Sequence, residues 1–283
     1  MCRNLSSLAA LTFVAGLISS PASAQILWDQ NFNGSSNTAD YINLSSPSSG
    51  QFNAIPTGTN NNAAIASGAL VFNKTGSNSA GFSRITDFST TPSALLLQFD
   101  LNISGNSTEQ SSSAGIIIQV GSGFSTAVTA ENTSNVHSRI ALNWTTTDGQ
   151  WSIRQGGSSA STSVSANSSG TQTVRFYINN SGLTLNYLGV DNNSYSLIND
   201  AYDVWIGSSR APNLTGVVAT SGEVALTNFK FAYASAAENA IITFDNLSIT
   251  AIPEPASFAL VTALATAASI AFRRQNSARF RAT

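Results

Sequence analysis

Thiol chemistry is almost missing from this sequence. Its one cysteine, Cys2, and its one methionine, Met1, both stand at the very start. The rest of the chain can therefore form no disulfide, no cysteine nucleophile and no thiolate metal site. Histidine is equally scarce, with His137 alone. A Ser-His-Asp triad could use no other base, and no G-x-S-x-G elbow accompanies it. A histidine metal site gathers several ligands, and none is in view. The simpler reading is a polar residue on a strand before Arg139. Charge is sparse too, at 9% of residues. Between the two ends, no segment combines a helical period with helix start and stop signals.

What the ends do contain is two apolar runs. Near the start, Arg3 precedes an uncharged run from Leu8 to Ile18, then Pro21 and the small residues Ala22-Ser23-Ala24. This is the layout of a secretory signal peptide over residues 1–24, with Ala22 and Ala24 marking the cut made by signal peptidase. The run is short for a spanning helix, which needs roughly 20 apolar residues. Cys2 lies ahead of it and cannot be a lipid-bearing cysteine. At the other end, Pro253-Glu254-Pro255 leads into an uncharged stretch over 256–272, followed by Arg273, Arg274, Arg279 and Arg281. The prolines hold the preceding chain extended. The stretch can form a membrane helix, and the arginines hold its end on the cytoplasmic side.

A Pro-Glu-Pro motif, a hydrophobic helix and a basic end, in that order over 252–283, resemble the PEP-CTERM sorting signal of Gram-negative bacteria. The resemblance implies that Pro253, Glu254 and Pro255 are read by an exosortase as substrate, that the tail enters the membrane transiently, and that the protein is sorted to the cell envelope or surface, in association with exopolysaccharide and biofilm matrix. The alternative is a plain tail anchor that stays uncut.

Between the ends, residues 25–251 carry thirteen carboxylates and seven cations, a net charge of −6. Such a surface does not seek nucleic acid or anionic lipid by long-range attraction, and the order of residues displays no basic stripe. The length suits one all-β domain.

The dominant period is two. Val174, Phe176 and Ile178 alternate with polar neighbours, as do Leu183, Leu185 and Tyr187, with Asn179-Asn180-Ser181-Gly182 as a hairpin turn between them. A second hairpin runs from Ile140–Trp144 through Asp148-Gly149 to Trp151–Gln155. Leu95–Ile103 and Ile116–Val120 read as central strands, and 223–234 and 240–250 as closing ones. Polar stretches at 104–113 and 155–170 read as long loops. The expected fold is all-β, an antiparallel two-sheet sandwich. Trp28-Asp29-Gln30-Asn31-Phe32 near the start and Ile242–Ile249 near the end are similar to the first and last strands of concanavalin A-like or laminin-G-like jelly rolls. That resemblance implies that the terminal strands pair within one sheet.

Glycoside hydrolysis needs two facing carboxylates about 5–9.5 Å apart. The E-x-D-x-x-E run of laminarinase-like sandwiches is absent. Asp200 and Asp203 are the closest pair, but strand positions three apart point to opposite faces. No catalytic residue is assigned, and no cofactor is required. Asp29 and Asp245 lie on the terminal strands and could hold a structural Ca²⁺, which takes six to eight oxygens; the alternative is a pair of edge residues. Trp144, Trp151, Tyr202 and Trp205 could stack on sugar rings, or fill the core. The expectation is a non-catalytic surface or matrix protein with possible polysaccharide binding, set against a purely structural matrix component and, behind both, a hydrolase.

Overall fold

The computed structural model describes residues 24–58, 61–75, 79–110, 116–156, 164–233 and 238–253. The expected signal peptide and sorting tail lie outside these, except for Ala24, Ile252 and Pro253 at their borders. Among the described residues no helix is long and apolar enough to cross a membrane. Ala24–Ile252 forms one compact unit.

Alternation of apolar and polar side chains dictates the layers. The described strands are β1 (Gln25–Gln30), β2 (Asn61–Ala66), β3 (Ala69–Lys74), β4 (Ala80–Arg84), β5 (Ala94–Ser104), β6 (Ile116–Gly121), β7 (Val136–Trp144), β8 (Gln150–Gln155) and β9 (Ser168–Ser169). There follow β10 (Gln172–Asn179), β11 (Leu185–Leu188), β12 (Ser194–Leu197), β13 (Ala201–Ile206), β14 (Ser209–Arg210), β15 (Val217–Val218), β16 (Asn228–Tyr233) and β17 (Ala240–Ala251). Every ladder between them is antiparallel, as expected. The large sheet has the order β14-β13-β10-β5-β17-β3-β2, with β1 on β17 and β15 on β13. The second sheet runs β4-β16-β6-β7-β8-β9. The first and last strands pair, as the jelly-roll resemblance implied: Gln25 faces Ala251 and Gln30 faces Leu247.

Each sheet turns one face inward. From the large sheet come Phe72, Leu97, Phe99, Phe176 and Phe244; from the other come Phe82, Ile118, Ile140, Ile153 and Phe231, all essentially without solvent contact. Phe231 is the joint. Its ring stacks on Phe82 at 4.3 Å between centroids and stands edge-on to Phe99 and Phe244, each at 5.2 Å. Such pairs add to the apolar area they bury.

The hairpin predicted from 174–178 to 183–187 does not form. β10 pairs with β5 and β13, while β11 pairs only with β12. The reason is that Leu185 and Tyr187 are apolar on the side that meets Tyr177, Ala201 and Trp205, on the outer face of the large sheet. The β11–β12 ribbon therefore lies over that sheet, making a local third layer. Asn179 holds the change of direction, its amide donating to the carbonyls of Leu183 and Leu197 at 2.8 and 2.9 Å. Gly189 permits the close approach: a Cβ there would stand 2.7 Å from the Trp205 ring. The other predicted hairpin is present, with Trp144 directly opposite Trp151. The last predicted strands are 228–233, shorter than 223–234, and 240–251.

Emptying the joint should be costly. Phe231→Ala is expected to lower unfolding free energy by about 3–5 kcal/mol, read from the urea or guanidinium midpoint at unchanged slope.

Candidate functional site

Because Phe229 and Phe231 point into the core, Lys230 between them must point to the other side of the second sheet. The same rule turns Gln119 outward from between Ile118 and Val120, and Arg139 from beside Ile140. The register then aligns them: Ser83, Lys230, Gln119 and Arg139 stand opposite one another across β4, β16, β6 and β7. Arg154 on β8 faces Ala141, one step along the same side, and Asn143 faces Ser152 beyond it. Three of the seven cations of residues 25–251 thus share one sheet face. Lys230 and Arg154 are buried and Lys230 is paired with Glu131, so the row is not a basic stripe on the surface.

The members of this row differ in how they are held. Lys230 donates to the carbonyls of Ala127 and Thr129 and pairs with the Glu131 carboxylate, so it straps the β6–β7 loop over the sheet. Hydrogen bonds to Ser125 and the contact with Lys230 hold the Glu131 carboxyl below the usual range, despite burial that acts the other way. The Gln119 carbonyl oxygen accepts from Glu131 N–H at 2.9 Å. Arg154 Nε donates to Asn143 Oδ1 at 2.9 Å. Three buried polar atoms of the row have no partner: Ser83 Oγ, Gln119 Nε2 and Arg139 Nε. Each such atom costs about 1–3 kcal/mol if no water reaches it.

His137 lies at the end of the row as the extra residue of a bulge opposite Val120–Gly121. It is fully buried, with Nδ1 2.9 Å from Ser138 Oγ and Nε2 3.9 Å from Asp200 Oδ1. Burial depresses its pKa to about 4, against a smaller opposing pull from Asp200. Ser138 is fully buried as well, so no substrate carbonyl can reach it and the three do not act as a triad.

The sequence candidates fall elsewhere. Trp144, Trp151, Tyr202 and Trp205 are at most 1% exposed. No face of these rings is open to a sugar, which corrects the stacking expectation: the first three fill the core and Trp205 anchors the third layer. Asp203 is fully buried beneath β11–β12, accepting from Tyr187 Oη at 2.5 Å, Arg210 at 2.6 Å and Gly216 N–H at 2.6 Å. It does not converge with Asp200, as the spacing predicted. Arg210 also lies over the Tyr195 ring, 4.6 Å from its centroid.

Asp29 and Asp245 sit on paired strands, but Asp29 is exposed and faces Ser248, three positions from Asp245. Asp245 instead faces Asp100. Among the described residues no three His, Cys, Asp or Glu side chains gather as a metal group, so the two carboxylates do not by themselves supply a calcium shell. Asp100 accepts from Thr173 Oγ1 at 2.6 Å and Asn246 Nδ2 at 2.8 Å. Burial, with the Asp100 charge adding to it, raises the Asp245 pKa.

Two surface grooves of about 360 and 340 Å³ lie away from the row. The first is lined by the loop around Ser35, Asp40 and Tyr41, whose polar atoms bond one another. The second is lined by Asn167, Gln172, Ser209 and Arg210.

Two titrations are testable. The unfolded chain takes up a proton at His137 near pH 6.5, which the folded chain refuses until about pH 4. Stability is therefore expected to fall as pH drops through that window, and less steeply in His137→Gln, when denaturation midpoints are compared at pH 7, 5.5 and 4.5. Asp245 has the opposite sign: its charge costs stability once it ionises, so Asp245→Asn is expected to raise the melting temperature at pH 7 in low salt by about 1–3 °C, with no gain near pH 3, where both forms are neutral.

No protein-family model and no curated protein matches the chain. Solved structures similar to it include a conserved carbohydrate esterase from Shiga toxin-encoding bacteriophage phi24B, with 8% identity, 81% of this chain and 99% of that one covered, and a TM-score of 0.46. An endo-1,3-beta-glucanase from Streptomyces sioyaensis shows 10% identity, 83% and 100% coverage, and a TM-score of 0.43. The Emp46p carbohydrate recognition domain in its potassium-bound form shows 8% identity, 67% and 85% coverage, and a TM-score of 0.40. At these values the likenesses carry no argument about this chain's chemistry.

Proposed function

We propose that this chain is an exported, non-catalytic surface or matrix protein whose β-sandwich binds polysaccharide. Export and sorting rest on the sequence of the two ends. In this reading signal peptidase removes residues 1–24, and an exosortase acts at Pro253-Glu254-Pro255, leaving the sandwich at or outside the envelope of a Gram-negative cell.

Binding rests on one observation: the surface groove of about 340 Å³ lined by Asn167, Ser168, Ser169, Gln172, Ser209 and Arg210. Hydroxyls and amides side by side offer what a polyol needs, since sugar oxygens both donate and accept. The absence of catalysis is supported by where the carboxylates stand. Asp203 is fully engaged by three donors. Asp100 and Asp245 face each other on the large sheet, and neither lines the groove.

A purely structural matrix role is the second reading, favoured by the burial of Trp144, Trp151, Tyr202 and Trp205. A glycan array probed with the full-length protein, with and without EDTA, separates the two. Retention on at least one polysaccharide, with no release of reducing ends, is expected; no retention on any glycan would leave the structural reading.

A further inference from the structure

The two grooves differ in what their polar atoms have left to offer. In the first, Ser35, Asp40 and Tyr41 bond one another. In the second, the side chains of Asn167, Ser168 and Ser209 make no hydrogen bond to any described residue. They are also within reach of a ligand. Asn167, Ser209 and Pro212 are exposed, and Ser168, Gln172 and Ile206 are half-buried.

This groove runs between border strands of the two sheets, β9 on one side and β14 on the other. Its walls are already fixed. Ser165 N–H donates to the Ile153 carbonyl on β8 at 2.7 Å, and Ser165 Oγ accepts from Ile153 N–H at 2.9 Å. Asn213 Nδ2 donates to the Val164 carbonyl at 2.9 Å, and Gln172 Nε2 to the Ser169 carbonyl at 3.1 Å. A ligand entering a groove held this way has little of it to order.

Charge decides the class of ligand. Arg210 is the one charged residue of the lining. Its guanidinium is held by Asp203 at 2.6 Å and lies over the Tyr195 ring at 4.6 Å. The remaining lining residues are serine, alanine, asparagine, glutamine, isoleucine and proline. An anionic sugar would find no free cation here. Drawing Arg210 away would strip a partner from the fully buried Asp203 carboxylate. The net charge of −6 opposes a polyanion at longer range as well.

Resting on the polysaccharide-binding reading of this same groove, we infer that the ligand is an uncharged glycan. A short stretch of it lies between β9 and β14, with C–H faces against Ile206 and Pro212 and hydroxyls on Asn167, Ser168 and Ser209.

The test titrates full-length protein by calorimetry at low and at moderate salt. The neutral probes are cello-, laminari- and xylo-oligosaccharides; the acidic probes are β-1,4-glucuronate and α-1,4-galacturonate oligosaccharides of equal length. At least one neutral series is expected to bind, with affinity changing by less than about twofold between the two salts. Both acidic series are expected to bind at least about tenfold more weakly than it. Ser209→Trp, which fills the groove, is expected to lower the neutral affinity by at least about tenfold. Acidic binding that equals or exceeds neutral binding overturns the uncharged assignment while leaving polysaccharide binding intact. Neutral binding that Ser209→Trp and Asn167→Ala both leave unchanged overturns the seat in this groove. No heat with any series, in a protein that also fails on the glycan array, overturns both readings. Should Ser209→Trp melt at a lower temperature than the parent, Asn167→Ala, which removes only an exposed amide, decides the seat.

Discussion

The sheet-to-sheet contact of Phe231 with Phe82, Phe99 and Phe244 is the constraint from which the rest follows. A strand alternates sides at every residue. Once Phe229 and Phe231 are committed to the interior, Lys230 has no choice of face, and the antiparallel register fixes which residues of β4, β6 and β7 stand beside it. The polar row is thus a by-product of core packing in its position, though not in its chemistry. Nothing about the core requires glutamine or arginine at 119 and 139, and both leave donors unpaired at a cost to stability.

The large sheet solves a different problem on its outer side. Tyr177, Ala201 and Trp205 are too apolar to face water, and the β11–β12 ribbon covers them. Covering them also buries Asp203, whose charge is offset by a phenol, a guanidinium and a backbone amide. Two faces of one sandwich therefore treat charge in opposite ways: beneath the ribbon every oxygen of Asp203 is used, while on the second sheet the donors outnumber the acceptors.

Much of this architecture is legible from residue order. Alternation marks β5, β7, β8 and β10, and the Asp148-Gly149 turn sets Trp144 against Trp151. That the terminal strands pair is also readable. Their register is not, because the β1–β17 ladder shifts between Ile26 and Trp28, and a second bulge at Asn246, with φ of 48°, shifts the β17–β5 ladder between Asp245 and Ser248. Alternation likewise identifies Leu185 and Tyr187 as one-sided but cannot say that their side will lie over a sheet rather than extend it. The polar row is the least legible feature. Residues 83, 119, 139 and 230 share no spacing, and only long-range register makes them neighbours. The aromatic candidates fail for a related reason: composition shows that Trp and Tyr are present, not which way they turn.

The outer margin of β13 has a consequence for self-association. β14 and β15, two residues each, occupy its two ends, and Ala211 N–H reaches the Val204 carbonyl between them at 2.9 Å. No run of free amides and carbonyls remains there for a second copy to extend the sheet. Short plugs of this kind deny the β13 border to a strand from a second copy, so that border cannot template fibres.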